Sequence, residues 1–299
     1  VLNGDDGNLF NPQQAATRAE AVKILYGVYT LRGIDSKVSD EASDEAEESA
    51  VSGNGKEKLL GELGIIDADK LSLNNRVTRE EFVGYSVRML GTDVQKADEQ
   101  LFFDVDSSNR YYDEIYTAYK LGLIDVSHDG NFGAGDAVKI NDAAEIMVRA
   151  LNARYIAEEK GGYFAAAKYM KLLNGINIVD GKELTGEDVV QLLFNTLDSE
   201  YVTTENGEDY KRANSTILET GFSVYRRQGM LEACYYGNIY GTDSERSGYV
   251  MIDDAELMFK DDLLAKDLLG CKVEFFYRKV DSGIYEVLYM CEKGNSIVE

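Results

Sequence analysis

The sequence predicts an α+β protein in which α-rich helix–loop–helix repeats are followed by a small C-terminal β-barrel-like domain. A unit made of a helix, a glycine-containing turn, a short apolar segment and a second helix recurs along residues 1–200. Beyond residue 222 the apolar side chains alternate with a period of two, which is typical of strands with one buried face. The 299 residues are 44% hydrophobic, so both parts can build packed cores.

The repeats are aligned on the residue that begins the second helix of each copy. These residues are Thr17, Thr78, Asn141 and Thr185, in copies one to four. A threonine is a good N-cap, and Glu20 and Glu81 stand three residues after the first two threonines, which completes a capping box. Asp188 follows Thr185 at the same distance. We therefore expect the same helix start in each copy.

Each copy contributes its own apolar helices. Copy one runs from a turn at 7–12 into a helix through 22–28, copy two covers 63–89, copy three 103–145 and copy four 163–197. We predict helix–loop–helix repeats over 1–152, of which the first is truncated, and a degenerate fourth repeat over 153–200. The acidic and glycine-rich stretch 35–55 is predicted to be a solvated loop, with calcium binding as the alternative.

A linker over 201–222 and a β domain over 223–299 follow the repeats. Strands are predicted at 229–236, 249–252 and 257–259, a short helix at 261–269, and a hairpin from 271–278 to 285–291. This order matches a small OB-like barrel, and an SH3-like barrel needs few changes. Cys271 and Cys291 are predicted to be buried thiols on one face of the hairpin, because three irregularly spaced cysteines form no disulfide framework.

The composition excludes several classes of function. With 31 basic and 54 acidic side chains the net charge is −23, which repels nucleic acid and anionic membranes. No apolar run reaches the roughly 18 to 20 residues that cross a bilayer, so no membrane insertion is predicted. A single histidine, His128, excludes most histidine-based sites. We predict no catalytic residue, cofactor or metal, and we interpret the calcium-like spacing from Asp125 to Asp136 as a glycine turn.

The order of the motifs resembles the S-layer homology family of bacterial surface proteins. The motifs are Phe103-Asp104-Val105, Leu121-Gly122-Leu123-Ile124, Gly130-Asn131-Phe132, Thr17-Arg18-Ala19-Glu20 and Thr78-Arg79-Glu80-Glu81. The resemblance covers residues 1–150 well and residues 155–200 more weakly. It identifies the helix–loop–helix units as S-layer homology repeats.

The resemblance implies a glycan site in the groove between neighbouring copies. There the arginine of the Thr-Arg motif helps to hold a secondary cell-wall polysaccharide that carries a pyruvate ketal. A guanidinium suits the ketal carboxylate because it is planar, bidentate and always charged. The ligand-binding residues that this implies are Arg18 and Arg79, with the preceding Thr17 and Thr78. A salt bridge at the helix start is the alternative role for either arginine.

Two copies differ from the family pattern. Copy three has Asp142, and copy four has Gly186, where the motif places arginine. The chain also has no tryptophan, so tyrosine and phenylalanine are the aromatic surfaces left for stacking on a sugar.

These observations predict a secreted, non-catalytic protein of the cell wall or S-layer, held by its repeats on secondary cell-wall polysaccharide. The alternative is a structural subunit of an extracellular array or appendage whose repeats pack against other protein chains. Copy one starts inside a repeat, which leaves Ile24, Leu25 and Val28 without their first helix. Either an upstream segment covers them or the protein self-associates.

Overall fold

The computed structural model describes residues 50–179, 181–205, 209–241, 244–281 and 283–293, and residues from 48 onward form one compact unit. The predictions on copy one, including Thr17, Arg18 and the exposed face of its helix, lie outside the described residues. The predicted mixture of helices and strands is confirmed.

The helices fill the first part of this unit and most strands the second. The helices are α1 Ala50–Glu62, α2 Arg79–Met89, α3 Tyr112–Lys120, α4 Ile140–Ala150, α5 Arg154–Lys160, α6 Tyr163–Tyr169, α7 Gly186–Leu197, α8 Ile217–Phe222 and α9 Asp262–Asp267. The strands are β1 Glu200–Glu205, β2 Asp209–Thr216, β3 Val224–Cys234, β4 Gly237–Asn238, β5 Tyr249–Ile252, β6 Ala255–Met258, β7 Lys272–Asp281 and β8 Ile284–Glu292. No helix among the described residues is long and apolar enough to cross a bilayer.

Helix α1 begins inside the stretch that the glycines predicted to be a loop. It starts at Ala50 and runs through three turns to Glu62. Gly55 allows this because it packs against the ring of Tyr289, and a Cβ there would lie 2.6 Å from the ring. Packing against the sheet therefore overrides the low helix propensity of this segment.

Glycines end the first helices of copies two and three, as predicted. Gly64 and Gly122 have φ values of 70° and 71°, a left-handed conformation that glycine adopts without strain. In copy four, α6 ends at Tyr169, and Lys171, with φ of 63°, takes the left-handed position, whereas Gly175 lies in the turn that follows. Copy four differs because its first helix is divided into α5 and α6. Gly161 and Gly162, with φ of 83° and 128°, separate the two halves.

The apolar segments of copies two, three and four meet in a closed triangle of backbone hydrogen bonds. Val77 donates to Leu184 over 3.0 Å, Leu184 to Val138 over 2.9 Å, and Val138 back to Val77 over 2.9 Å. Helices α2, α4 and α7 each begin two residues after their corner of the triangle. The three copies are thus related by an approximate threefold arrangement.

The described residues of the segment 201–222, predicted as a linker, form two paired strands and a helix. Strands β1 and β2 pair in antiparallel fashion, and helix α8 starts with a capping box between Thr216 and Glu219. Val202 is buried, and its amide donates to the carbonyl of Leu151 over 2.9 Å. The first strand of this segment is therefore anchored to the end of α4, which its polar composition did not indicate.

Strands β3, β5, β6, β8 and β7 pair in a closed cycle. Strand β3 pairs with both β5 and β7, β5 pairs with β6, and β8 pairs with β7. Strands β6 and β8 meet in parallel through Met258 and Glu286. The helix α9 lies between β6 and β7 in the chain, as predicted.

The described residues form two hydrophobic cores. One core lies inside the cycle of strands, and the other joins the helices to the outer face of the sheet. In the second core the ring of Phe194 on α7 lies 5.3 Å from that of Phe276 and 5.6 Å from that of Tyr289. The β domain therefore packs directly on the helices.

The cysteines are thiols, as predicted, but Cys271 and Cys291 do not share one face. Cys234 is buried and the other two are partly buried. Cys271 packs against the core inside the strands, whereas Cys291 packs against the core shared with the helices. A bulge between Phe276 and Tyr277 shifts the register and reverses the alternation on which the prediction depended.

Candidate functional site

The Arg79 groove, our name for the surface formed by residues 78–81, loop 130–136 and Asp142, lies between copies two and three. Helix α2 enters it through the predicted capping box. The Thr78 hydroxyl accepts from the Glu81 amide over 3.3 Å, and the Glu81 carboxylate accepts from the Thr78 amide over 2.9 Å. The same hydroxyl donates to this carboxylate over 3.0 Å. The hydrogen bonds of the Thr78 side chain are thus used within the cap that stabilises the start of α2.

Arg79 follows this cap and reaches across to copy three. Its Nε donates to the carbonyl of Phe132 over 3.0 Å, and its Nη1 lies 2.5 Å from a carboxylate oxygen of Asp142. The guanidinium lies over the Phe132 ring, 5.3 Å from its centroid. The Arg79 side chain is 30% exposed, and the Nη2 hydrogens find no acceptor among the described residues. One edge of the guanidinium therefore remains open to solvent.

Asp104 holds the loop on which Arg79 rests. Its carboxylate accepts from the amides of Phe132 over 2.7 Å and Gly133 over 2.6 Å. Partial burial alone would raise the pKa of Asp104, but these amide donors outweigh it, so the pKa is lowered from its usual value. Asp104 is therefore a charged structural brace for the groove.

The aromatic pair at the opening of copy three has divided roles. Phe102 is buried and packs 5.2 Å from the Phe132 ring, whereas Phe103 is 82% exposed. The Phe103 ring lies across Gly130, where a Cβ would come within 2.4 Å of it. The motif that was predicted to open with Phe103 thus places Phe102 in the core and presents Phe103 at the surface.

The hydrogen bonds around the triangle correct the alignment of copy three. The amides of Arg79, Ile140 and Gly186 donate to Asp136, Lys182 and Asn75, each two residues before the next corner of the triangle. Ile140, not Asp142, is therefore the equivalent of Arg79. Asp142 corresponds to Glu81 of the capping box, although α4 has no capping side chain because Lys139 occupies the N-cap.

The two other described grooves have no arginine at this position. Ile140 is fully buried. Gly186 approaches the backbone of copy two so closely that a Cβ would lie 2.4 Å from the carbonyl oxygen of Ser72. Gly186 thus stands at the place assigned to it by the sequence, and the close backbone contact explains why it is glycine.

The calcium-like loop is held by contacts within the protein. Asp125 pairs with Arg149 over 2.6 Å, and Asp129 accepts from Ser127 over 2.7 Å. Across the described ranges, no group of three or more His, Cys, Asp or Glu side chains is arranged to hold a metal ion. The predicted site residues Thr17 and Arg18 lie outside these ranges.

Two members of the groove were not predicted from the sequence, namely the Phe132 carbonyl and Asp142 as the partner of Arg79. A backbone acceptor leaves no signal in residue types. Asp142 had one: it stands three residues after Lys139, as Glu81 stands after Thr78.

Comparison with known proteins gives a match that includes the first copy of the Thr-Arg motif, which precedes this groove in the sequence. The S-layer homology domain model matches residues 1–22. The match includes Thr17 to Glu20, the first copy of the Thr-Arg motif. A cell surface protein of Thermoanaerobacter kivui is 26% identical over 144 residues, which are 47% of this chain and 19% of that protein. The chain thus spans about a fifth of that relative's length, and the resemblance to the S-layer homology family is confirmed.

Proposed function

We propose that this chain is a non-catalytic cell-surface protein, anchored without covalent bonds to secondary cell-wall polysaccharide through S-layer homology repeats. The S-layer homology match over residues 1–22 is the observation that carries the proposal. The name of the similar protein from Thermoanaerobacter kivui, cell surface protein, agrees with a location in the cell wall or S-layer. Repeats over 1–200 supply the anchor, and an OB-like barrel over 223–299 is a contact module.

The Arg79 groove supports glycan binding through its open guanidinium edge. A ketal carboxylate on a terminal sugar would accept from Nη2 of Arg79, and the Phe132 ring lies beneath the same guanidinium. The proposed ligand-binding residues are Arg79 and Thr78, with Arg18 and Thr17 as their equivalents in copy one. Thr78 contributes by fixing the helix start rather than by direct contact, because its hydroxyl is engaged with Glu81.

A second candidate function, a structural subunit of an extracellular array, is favoured by the contact between Arg79 and Asp142. This ion pair offsets the charge that an anionic glycan would need, and the grooves at Ile140 and Gly186 have no arginine. In that case the repeats pack against other protein chains.

A pull-down of the full chain on purified cell walls, with and without their secondary polysaccharide, separates the two candidates. We expect retention only on walls that carry the polysaccharide. Arg79→Ala should weaken binding by about 1.5 to 3 kcal/mol, the typical contribution of a charged hydrogen bond, with little change in melting temperature. Arg212→Ala, at an exposed arginine of the hairpin, is the matched control.

Two outcomes would decide against the anchor. Equal retention on both kinds of wall would leave the structural subunit. A loss of melting temperature in Arg79→Ala that matches its loss of binding would assign Arg79 a purely structural ion pair.

A further inference from the structure

A row of three tyrosines crosses the β domain far from the Arg79 groove in sequence. Tyr225 on β3 pairs with Tyr277 on β7, and their ring centroids lie 6.0 Å apart. The Tyr285 ring on β8 lies 5.9 Å from that of Tyr277. We call these three residues the tyrosine row. Its rings contact one another across three neighbouring strands but are not coplanar, because the planes of Tyr225 and Tyr277 meet at 41° and those of Tyr277 and Tyr285 at 70°.

The tyrosine row continues the inner face of the strands beyond the core. Phe275, two residues before Tyr277, belongs to that core, and the two rings lie 5.7 Å apart. Tyr277 closes the edge of the core and is half-buried, but Tyr225 and Tyr285 are 45% and 38% exposed. The outer two rings, those of Tyr225 and Tyr285, therefore remain partly exposed to solvent.

Two cations lie on the same face as the tyrosine row. Arg227 faces Phe275 across the β3–β7 pair, and Lys279 faces Tyr285 across the β7–β8 pair, so their side chains project to the same side. Both are exposed. Within the described ranges neither forms an ion pair, although the chain has a net charge of −23. The face thus combines exposed tyrosine rings with two positively charged side chains.

We propose that the tyrosine row, with Arg227 and Lys279, binds a carbohydrate chain that carries widely spaced negative charges. Aromatic rings stack on the apolar C–H faces of pyranose sugars, and tyrosine hydroxyls exchange hydrogen bonds with sugar hydroxyls. The guanidinium and the ammonium would each take a carboxylate or phosphate on the chain. The site is separate from the Arg79 groove and does not depend on it.

Charge decides between this ligand and other polymers. A nucleic acid carries about one charge per 1.7 Å of duplex, and the acidic protein as a whole repels so dense a polyanion. A glycan with one charge on every second sugar meets the two cations without bringing many further charges close to the acidic surface. An acidic peptide would satisfy the cations but would leave the rings without flat partners.

The test uses the full chain and four probes in titration calorimetry at low salt. A hyaluronan octasaccharide supplies sugar faces with one carboxylate on every second sugar. A chitin hexasaccharide supplies faces without charge, poly-glutamate supplies charge without faces, and a short DNA duplex supplies dense charge. We expect hyaluronan to bind most tightly, and its affinity to fall as salt rises.

Variants then separate stacking from charge. Tyr225→Ala combined with Tyr285→Ala should weaken hyaluronan binding at least tenfold. Arg227→Ala combined with Lys279→Ala should weaken it similarly and reduce its salt dependence. The matched controls are Tyr235→Ala and Lys272→Ala, two exposed residues elsewhere in the domain, which should leave binding unchanged.

Four results would overturn the proposal. Binding of poly-glutamate as tight as that of hyaluronan would make the face a protein-docking surface instead. Failure of hyaluronan to bind the parent protein would remove the glycan site. Variants that melt and bind hyaluronan like the parent would remove it as well. An equal loss in the control variants would show that the named side chains are not responsible.

Discussion

At the scale of single residues, Asp142 decides how much of the charge of Arg79 is left for a ligand. The two side chains are 30% and 44% exposed, so their ion pair contributes little to stability, about 0 to 1 kcal/mol. A ligand carboxylate must nevertheless share or displace this partner. Asp142 therefore lowers the affinity of the Arg79 groove for an anion, whatever anion it meets.

Replacing Asp142 by asparagine tests this directly. Asp142→Asn keeps the shape of the side chain and removes its charge, so we expect tighter binding to cell walls, by about threefold to tenfold. The measurement is a wall-binding isotherm beside that of Glu145→Gln, an exchange elsewhere on the same helix. Weaker binding in Asp142→Asn would mean that the carboxylate contacts the glycan itself.

Asp198 is the residue whose protonation should change stability near neutral pH. It lies at the end of α7, and its carboxylate is 2.6 Å from Nη1 of Arg226 on β3. Burial raises the pKa of Asp198 to about 6, and the positive charge of Arg226 only partly opposes this. The native state therefore holds the proton more tightly than the unfolded chain, whose carboxyl titrates near 4.

This shift fixes the sign of the pH dependence. The full contribution to stability is present below about pH 4 and is lost as the pH rises through about 6, with a limit of about 3 kcal/mol. Asp198→Asn should therefore show a smaller decrease of unfolding free energy between pH 4 and 7 than the parent protein. Urea denaturation across that range measures it. Parallel curves for the two proteins would contradict the raised pKa.

At the scale of elements, the closeness of copies two and four depends on Gly186. Helix α7 begins at this residue, where a Cβ would lie 2.4 Å from the carbonyl oxygen of Ser72 and 3.0 Å from the Cα of Leu73. The neighbouring atoms are backbone and cannot move without shifting the whole segment. Steric overlap there should open the triangle of hydrogen bonds at one corner.

Gly186→Ala should therefore destabilise the protein by about 1 to 3 kcal/mol, the usual range for overpacking. Gly135→Ala is the matched control, because nothing lies within 4 Å of the position of its Cβ. Equilibrium urea denaturation compares the two. Equal stabilities would indicate that the segment of copy two yields easily, and the close contact would lose its importance.

The helix starts could be predicted from sequence wherever a side chain made the cap. Thr78 and Thr185 cap α2 and α7 as expected, each with an acidic partner three residues later. In copy three, Asn141 was aligned with these threonines. The N-cap of α4 is instead Lys139, whose side chain forms no capping hydrogen bond. Thr78 follows Thr17 by 61 residues, and Lys139 follows Thr78 by the same 61 residues. This regular spacing was not recognised because lysine is not a typical N-cap residue. The triangle itself consists of backbone bonds, which no residue pattern reveals.

At the scale of the whole molecule, the helices and the β domain share one of the two cores. Strand β7 places Phe275 inside the strand cycle and Phe276 against the helices. Apolar residues therefore lie on both faces of β7, whereas a strict alternation of apolar and polar residues predicts one apolar face. The composition predicts a linker followed by an independent β domain. The contacts among the rings of Phe194, Phe276 and Tyr289 instead join the β domain to the helices.

A shared core predicts that helices and strands unfold together. Phe276→Ala removes a buried ring that contacts both parts, and such a change typically destabilises a protein by about 3 to 5 kcal/mol. We expect the helical signal at 222 nm and the chemical labelling of Cys234, a thiol buried in the core of the strands, to shift to the same lower midpoint in urea. Tyr235→Ala, at an exposed position, should leave both midpoints unchanged. If Phe276→Ala moves only the midpoint of Cys234 labelling, the β domain unfolds on its own and the contact with α7 does not couple it to the repeats.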